Sequence, residues 1–214
     1  MITMEKWQQL MAEWSKVGEI YQIPRRSEFR LNHFCQHCVP LFKGKKVLEI
    51  GANAGIFGYC VAETAESYTA VEPALLVRDK TKKKPPKTDY FKQLELTATH
   101  IEQFNPSVKV FNETIPDYCK HHDPGINAFY ACFALYHFMD HELACLSDVV
   151  FPKCDLVVIQ NRNQDRPTPH NKYKFERDKN VVKFFAARGF GKAEIISAKG
   201  TDGKQAFSEI ILTR

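Results

Sequence analysis

The hydrophobic positions of the chain follow two different periods. Up to residue 44 they recur at helical spacing: Trp7, Leu10, Met11 and Trp14, then Leu31, Phe34, Cys35, Cys38 and Val39. That pattern predicts helices, which Pro40 and Gly44 then break. Beyond Gly44 short apolar runs take over and predict strands over Val47–Gly51, Tyr68–Val71, Ser107–Phe111, Asn127–Leu135, Asp155–Gln160, Lys192–Ser197 and Phe207–Thr213. The intervening stretches Gly55–Thr64, Thr88–Gln103, Pro116–His122, His141–Phe151 and Asn180–Arg188 suit helices, the last closed by Gly189. Continuous apolar strands separated by helices imply a parallel sheet covered on both faces. The last two strands have only the turn Thr201-Asp202-Gly203-Lys204 between them, so they must pair antiparallel or lie at a sheet edge.

Composition narrows the class. The 214 residues favour one domain with a small appendage, large enough to bury a core without staples. Apolar content of 44% and charged content of 26% are ordinary for a soluble globular protein. No apolar run approaches the roughly 18 residues of a membrane span, so no membrane partner is expected. The start MITMEKWQQL lacks an apolar signal core, which argues against secretion. Seven cysteines, an odd number among apolar neighbours, fit buried thiols in a reducing cytoplasm better than a disulfide framework. A net charge of +5 mildly favours an anionic partner.

Candidate chemistry begins at KKVLEIGANAGIFG, residues 45–58. In a doubly wound sheet the ligand sits outside the carboxyl ends of the strands, so the loop after the first strand lines the pocket. Gly51 and Gly55 permit a tight turn and close backbone approach. Glu72, at the end of the second strand and about 20 residues on, is placed to accept hydrogen bonds from ribose hydroxyls. It would repel a ribose phosphate, which argues against NADP. A dinucleotide fingerprint wants Gly-x-Gly-x-x-Gly; here Asn53 replaces the middle glycine, although Gly58 is correctly spaced. S-adenosylmethionine has an adenosine but no phosphate, and does not need the full glycine set. Its cationic amino group and sulfonium would suit Glu49, two residues before the first glycine.

VLEIGANAG followed by YTAVEP resembles the class I S-adenosylmethionine-dependent methyltransferases, over about residues 25–214. The resemblance implies an α/β fold with a doubly wound, seven-stranded, mostly parallel Rossmann-like sheet, an antiparallel last strand and a helical N-terminal extension. Residues 1–44 would be the helical cap and 45–214 the cofactor-binding domain. It implies S-adenosyl-L-methionine as cofactor, contacted through Gly51, Ala52, Asn53 and Gly55, with Glu49 near the methionine end and Glu72-Pro73 at the ribose. Asn112, Glu113 and Thr114 would face the adenine, and Cys132 and Phe133 would lie where the methyl group is presented. Asn53 in place of a commoner glycine is a departure the family tolerates.

The acceptor is less determined. The fourth-strand segment shows no Asn/Asp-Pro-Pro-aromatic motif, which disfavours amino methylation of adenine in DNA, and no Pro-Cys nucleophile, which disfavours methylation of a pyrimidine carbon. What remains, ALYHF, makes His137 and Tyr136 candidates for removing an acceptor proton. Arg25-Arg26, the stretch Arg78–Lys87 and the loop Asn161–Arg166 suit a phosphate-bearing acceptor and lean the reading towards RNA modification or a nucleotide. A small-molecule acceptor is the alternative, and a non-catalytic accessory subunit a further one. Tyr21, Arg25, Arg26 and Arg30 are expected to help close the site. Zinc at Cys35, Cys38, Cys119, His121 and His122 is not favoured, because the first two fit an apolar helix face. Oligomeric state is open.

Overall fold

The computed structural model describes residues 8–10, 12–13, 16, 25–72, 90–122, 125–161, 172–175, 177–199 and 205–214. It contains a seven-stranded sheet in the order β3-β2-β1-β4-β5-β7-β6. The chain divides into two compact units, residues 1–114 and 115–214.

In the first unit α1 (Arg25–His37) leads through a single 3-10 turn into β1 (Lys46–Ile50). α2 (Ile56–Ala62), β2 (Ser67–Val71), α3 (Tyr90–Glu102) and β3 (Val108–Phe111) follow. β1, β2 and β3 are parallel, with Glu49 opposite Ala70 and Ile50 opposite Val71. β1 is buried from Val47 onwards, as expected of a central strand with helices on both faces. Phe34 of α1 stands edge-on to Phe57 of α2, their centroids 5.3 Å apart. Phe34 therefore packs α1 against the helix that follows the glycine loop. Asn105 holds the far end of α2: its buried amide donates to the carbonyls of Ala62 and Ala65 at 2.8 and 3.1 Å, satisfying acceptors that a helix end leaves orphaned.

The second unit contains α4 (Ile115–His121), β4 (Ala128–Cys132), α5 (Asp140–Cys145), β5 (Leu156–Asn161), α6 (Asp178–Ala186), β6 (Lys192–Lys199) and β7 (Gln205–Thr213). β4 and β5 are parallel. β7 runs antiparallel to β5 on one side and to β6 on the other. The final pair is thus both antiparallel and, through β6, at the sheet edge. Phe129, Phe151, Phe184, Phe185 and Phe190 form a chain of edge-to-face rings with centroids 4.9 to 5.6 Å apart, the core of this unit.

Two elements differ from the pattern in the sequence. The fourth strand ends at Cys132 rather than Leu135, because Phe133 turns the chain off the sheet with φ +51° and Leu135–His137 form a 3-10 turn. Ala134 and Leu135 are buried in that turn, so their apolar character mimics a strand. The helix expected over His141–Phe151 is α5, then one π turn over Leu146–Val150, then a 3-10 turn over Phe151–Lys153 carrying Pro152. Proline has no N–H to continue the helix ladder. Among the described residues no helix is long and apolar enough to cross a membrane.

Candidate functional site

The glycine loop joins β1 to α2 within the first unit. Gly51 and Gly55 have φ of +75° and +77° and Asn53 φ +51°, so the chain turns through three left-handed positions in five residues. Only glycine, and less readily asparagine, takes that conformation at little cost. This explains why Asn53 stands where a glycine is common. Gly51 N–H is held by the Val71 carbonyl at 2.8 Å. The Ala54 carbonyl accepts from the buried Thr97 hydroxyl at 2.6 Å. A Cβ on Gly55 would fall 2.8 Å from Leu94 and 3.1 Å from Thr97, so α3 packs directly on the loop.

Glu72 closes the loop from the other side. Its backbone N–H donates to the Phe111 carbonyl at 3.0 Å, and its carboxylate accepts the backbone N–H of Asn53. It is only 4% exposed. The acid expected to bind ribose therefore also fixes the loop's conformation.

Glu49 lies beneath the loop, 1% exposed, and accepts the hydroxyl of buried Tyr68. Burial pushes its carboxyl up to about 8, with nearby Glu72 adding to the rise and the Tyr68 hydrogen bond opposing it. Burial and the neighbouring Glu49 raise Tyr68 well above its usual range. Gly58 explains the packing. A Cβ there would land on the Tyr68 hydroxyl and lie 2.7 Å from Glu49 Oε2. The third glycine of the apparent dinucleotide fingerprint thus admits a buried hydroxyl–carboxyl pair.

Beyond β3, Asn112, Glu113 and Thr114 are half-buried. The Asn112 Oδ1 atom is buried with no hydrogen-bond partner among the described residues. A buried amide oxygen without a donor costs about 1–3 kcal/mol, which marks the position as one suited to a ligand N–H. In this unit the structure brings together Gly51, Ala52, Asn53, Gly55 and Glu72. Pro73 lies outside the described residues, as do Tyr21, the side chains of Arg25 and Arg26, the basic stretch 78–87 and residues 162–171 of the loop after β5.

The second unit carries the remaining candidates. Cys132 and Phe133 are half-buried at the end of β4. Tyr136 is buried, and its ring lies 4.2 Å from that of exposed His137 at a 50° tilt. His137 sits on a turn whose N–H donates to the Ala134 carbonyl at 2.8 Å.

A set of buried polar side chains at the carboxyl end of β5 does not show in the pattern of the sequence. The Gln160 side chain takes the Cys132 S–H at 3.0 Å and donates to Glu209 at 3.1 Å. On the opposite face Asn161 donates to Asp178 at 2.8 Å, and Ser208 donates to the same carboxylate at 2.6 Å. The available signal was a Gln-Asn pair ending the apolar run LVVIQN and a lone Glu within FSEIIL. As for a metal, no three of His, Cys, Asp and Glu gather among the described residues. Neighbouring Cys35, together with burial, raises the Cys60 thiol well above its usual range.

No protein-family profile matches the sequence, and no curated protein matches it. Solved structures do. A bacterial Hen1 methyltransferase domain is 13% identical with a TM-score of 0.58, over 86% of this chain and 97% of its own. A Pyrococcus horikoshii protein, provisionally assigned as an RNA methyltransferase, is 17% identical with a TM-score of 0.52, over 100% and 98%. The magnesium protoporphyrin IX methyltransferase of Synechocystis PCC 6803, solved with bound SAH, is 8% identical with a TM-score of 0.60, over 99% and 94%. At these identities the likeness establishes the fold, which is that of the class I S-adenosylmethionine-dependent methyltransferases.

Proposed function

We propose that the protein is a methyltransferase that uses S-adenosyl-L-methionine. The observation that carries this reading is the first unit's arrangement of Glu72 on the Asn53 N–H, with the Asn112 oxygen, which has no partner among the described residues, one strand away. Ribose hydroxyls would add to the Glu72 carboxylate, the Gly51–Gly55 backbone would border the adenosyl group, and Asn112 Oδ1 would take an adenine amino proton, with Glu113 and Thr114 beside it. Glu49 would act from beneath the loop as a buried neutral acid paired with the Tyr68 hydroxyl, and a cationic ligand above it would favour its ionised form.

When bound, the cofactor supplies an electrophilic methyl group on a sulfonium. The chain's residues orient an acceptor lone pair in line with it, and that positioning is the main catalytic contribution. His137, with Tyr136 against its ring, would take the proton that the acceptor releases. The accepting surface would include the Cys132-Phe133 turn.

For the acceptor we favour RNA or a nucleotide. The net charge of +5 and the basic runs at 78–87 and 161–166 support it. A small-molecule acceptor is the second reading, favoured by the half-buried aromatic Phe133 at the end of β4. All seven cysteines are free thiols, which supports a cytoplasmic setting. Incubation with methyl-labelled cofactor and fractionated cell extract tests the reading. Label entering RNA supports the first acceptor, label entering small molecules the second, and no transfer to any fraction favours an accessory protein.

A further inference from the structure

The glycine loop is held from two sides, and the second holder is Thr97 of α3. Thr97 is buried. A threonine inside a helix ordinarily turns its hydroxyl to the carbonyl four residues back, as exposed Thr99 does to the Glu95 carbonyl at 3.1 Å. Thr97 has the same kind of acceptor, the Gln93 carbonyl at 2.8 Å, but the Ala54 carbonyl of the loop lies closer, at 2.6 Å. A hydroxyl has one proton to give. The Gln93 carbonyl already takes the Thr97 N–H in the helix ladder, so the proton goes to Ala54. The methyl branch of the same side chain faces Gly55, where a Cβ would lie 3.1 Å from Thr97 Cγ2. Both branches of one threonine therefore meet the loop. Glu72 takes the N–H of Asn53 and Thr97 holds the carbonyl of Ala54, so two successive residues are gripped at their outer atoms. Asn53, at φ +51°, stands inside that grip, and Gly55, at φ +77°, directly follows it. Left-handed backbone at a residue other than glycine persists only where the surroundings over-determine it. Ala54 is itself buried, so removing the hydroxyl would leave its carbonyl without that donor and away from water.

We infer that Thr97 is a positioning residue for the cofactor: its hydroxyl fixes the Ala54 carbonyl, so that the Gly51–Gly55 backbone has its binding shape before a ligand arrives. A loop ordered in advance leaves no ordering cost to the binding step, and affinity rises accordingly. Serine supplies the hydroxyl without the methyl group, and valine the shape without the hydroxyl, so the part played by the hydrogen bond is separable from packing. This inference rests on the methyltransferase reading for the identity of the ligand, but the state of the loop in the free protein is read without any ligand.

Amide hydrogen exchange at Gly51, Asn53 and Gly55 is followed by NMR in the full-length protein, free and with S-adenosylhomocysteine, and affinity for that ligand is measured by calorimetry. In the free wild type these amides exchange slowly, and the ligand adds little protection. Thr97→Val exchanges about tenfold faster at Asn53 and Gly55, with the β1 and β2 amides unchanged, and binds S-adenosylhomocysteine about tenfold more weakly. Thr97→Ser returns both readouts to within about twofold of wild type. Thr99→Val, the same substitution at an exposed site of the same helix, changes neither. Free wild-type loop amides that exchange rapidly until the ligand is added overturn the inference, and this result is read on the wild type even where Thr97→Val does not fold. Wild-type behaviour in Thr97→Val, faster exchange there throughout β1 and β2 as general destabilisation would give, or a Thr97→Ser as impaired as Thr97→Val also overturns it. No binding of S-adenosylhomocysteine to the wild type, with the loop amides still slow and still dependent on the Thr97 hydroxyl, overturns the methyltransferase reading instead.

Discussion

Replacing Glu49 by Gln should remove a pH dependence of stability that the buried carboxyl imposes. In the folded protein burial pushes that carboxyl up to about 8 from its ordinary 4.5. The native state therefore keeps a proton that the unfolded chain releases once the pH passes 4.5. Stability present below that value is lost as the pH rises towards 8, and the loss is complete above it. Each pH unit in this window costs about 1.4 kcal/mol, so the whole window costs about 5 kcal/mol. The glutamine carbonyl still accepts the Tyr68 hydroxyl and has no proton to release. Its extra N–H groups add a cost that is the same at every pH. Urea unfolding of both proteins from pH 5 to 8.5 isolates the effect, because every other titrating group is common to the two. The stability of Glu49→Gln relative to wild type should climb by about 1.4 kcal/mol per unit and level off above pH 8. Two parallel pH profiles would refute the claim that Glu49 is a buried neutral acid.

Gly58→Ala should cost at least about 3 kcal/mol in thermal or urea unfolding, since its Cβ meets the Tyr68–Glu49 pair; a loss below about 0.5 kcal/mol would show that the pair yields easily. His137→Ala should lower turnover about 100-fold while cofactor affinity is retained, as expected of a proton acceptor; full activity would end its candidacy. Changing Lys82, Lys83 and Lys84 together to alanine should weaken salt-sensitive RNA binding and flatten its dependence on salt; unchanged binding would remove the support for an RNA acceptor.

The sequence made the sheet legible because each of its strands is a local event. LEIG and YTAVE announce an apolar strand followed by a small or acidic residue, and parallel pairing places both ends at one edge. The tight turn at Gly51 and Gly55 was readable for the same reason. Glu49 shows where such reading stops. Its spacing suggests a ligand contact, but nothing in that spacing announces the buried Tyr68 hydroxyl that strand pairing brings alongside. Gly58 looked like a nucleotide glycine until the Tyr68 hydroxyl supplied its reason. Gln160 and Glu209 are 49 positions apart and meet only through the β5–β7 register. Phe133 could not be read as the end of β4, because nothing in an apolar run signals a left-handed residue other than glycine or asparagine.

Methyl transfer by this protein requires above all that Glu72 and the Gly51–Gly55 loop seat an adenosyl group. Calorimetric titration of S-adenosylhomocysteine into wild type and Glu72→Gln tests this directly, because the glutamine still accepts the Asn53 N–H and so spares the loop. Binding in the wild type that weakens about tenfold or more in the variant is the predicted result. Equal affinity in both proteins, or no binding to wild type at millimolar ligand while NADH binds, would contradict it.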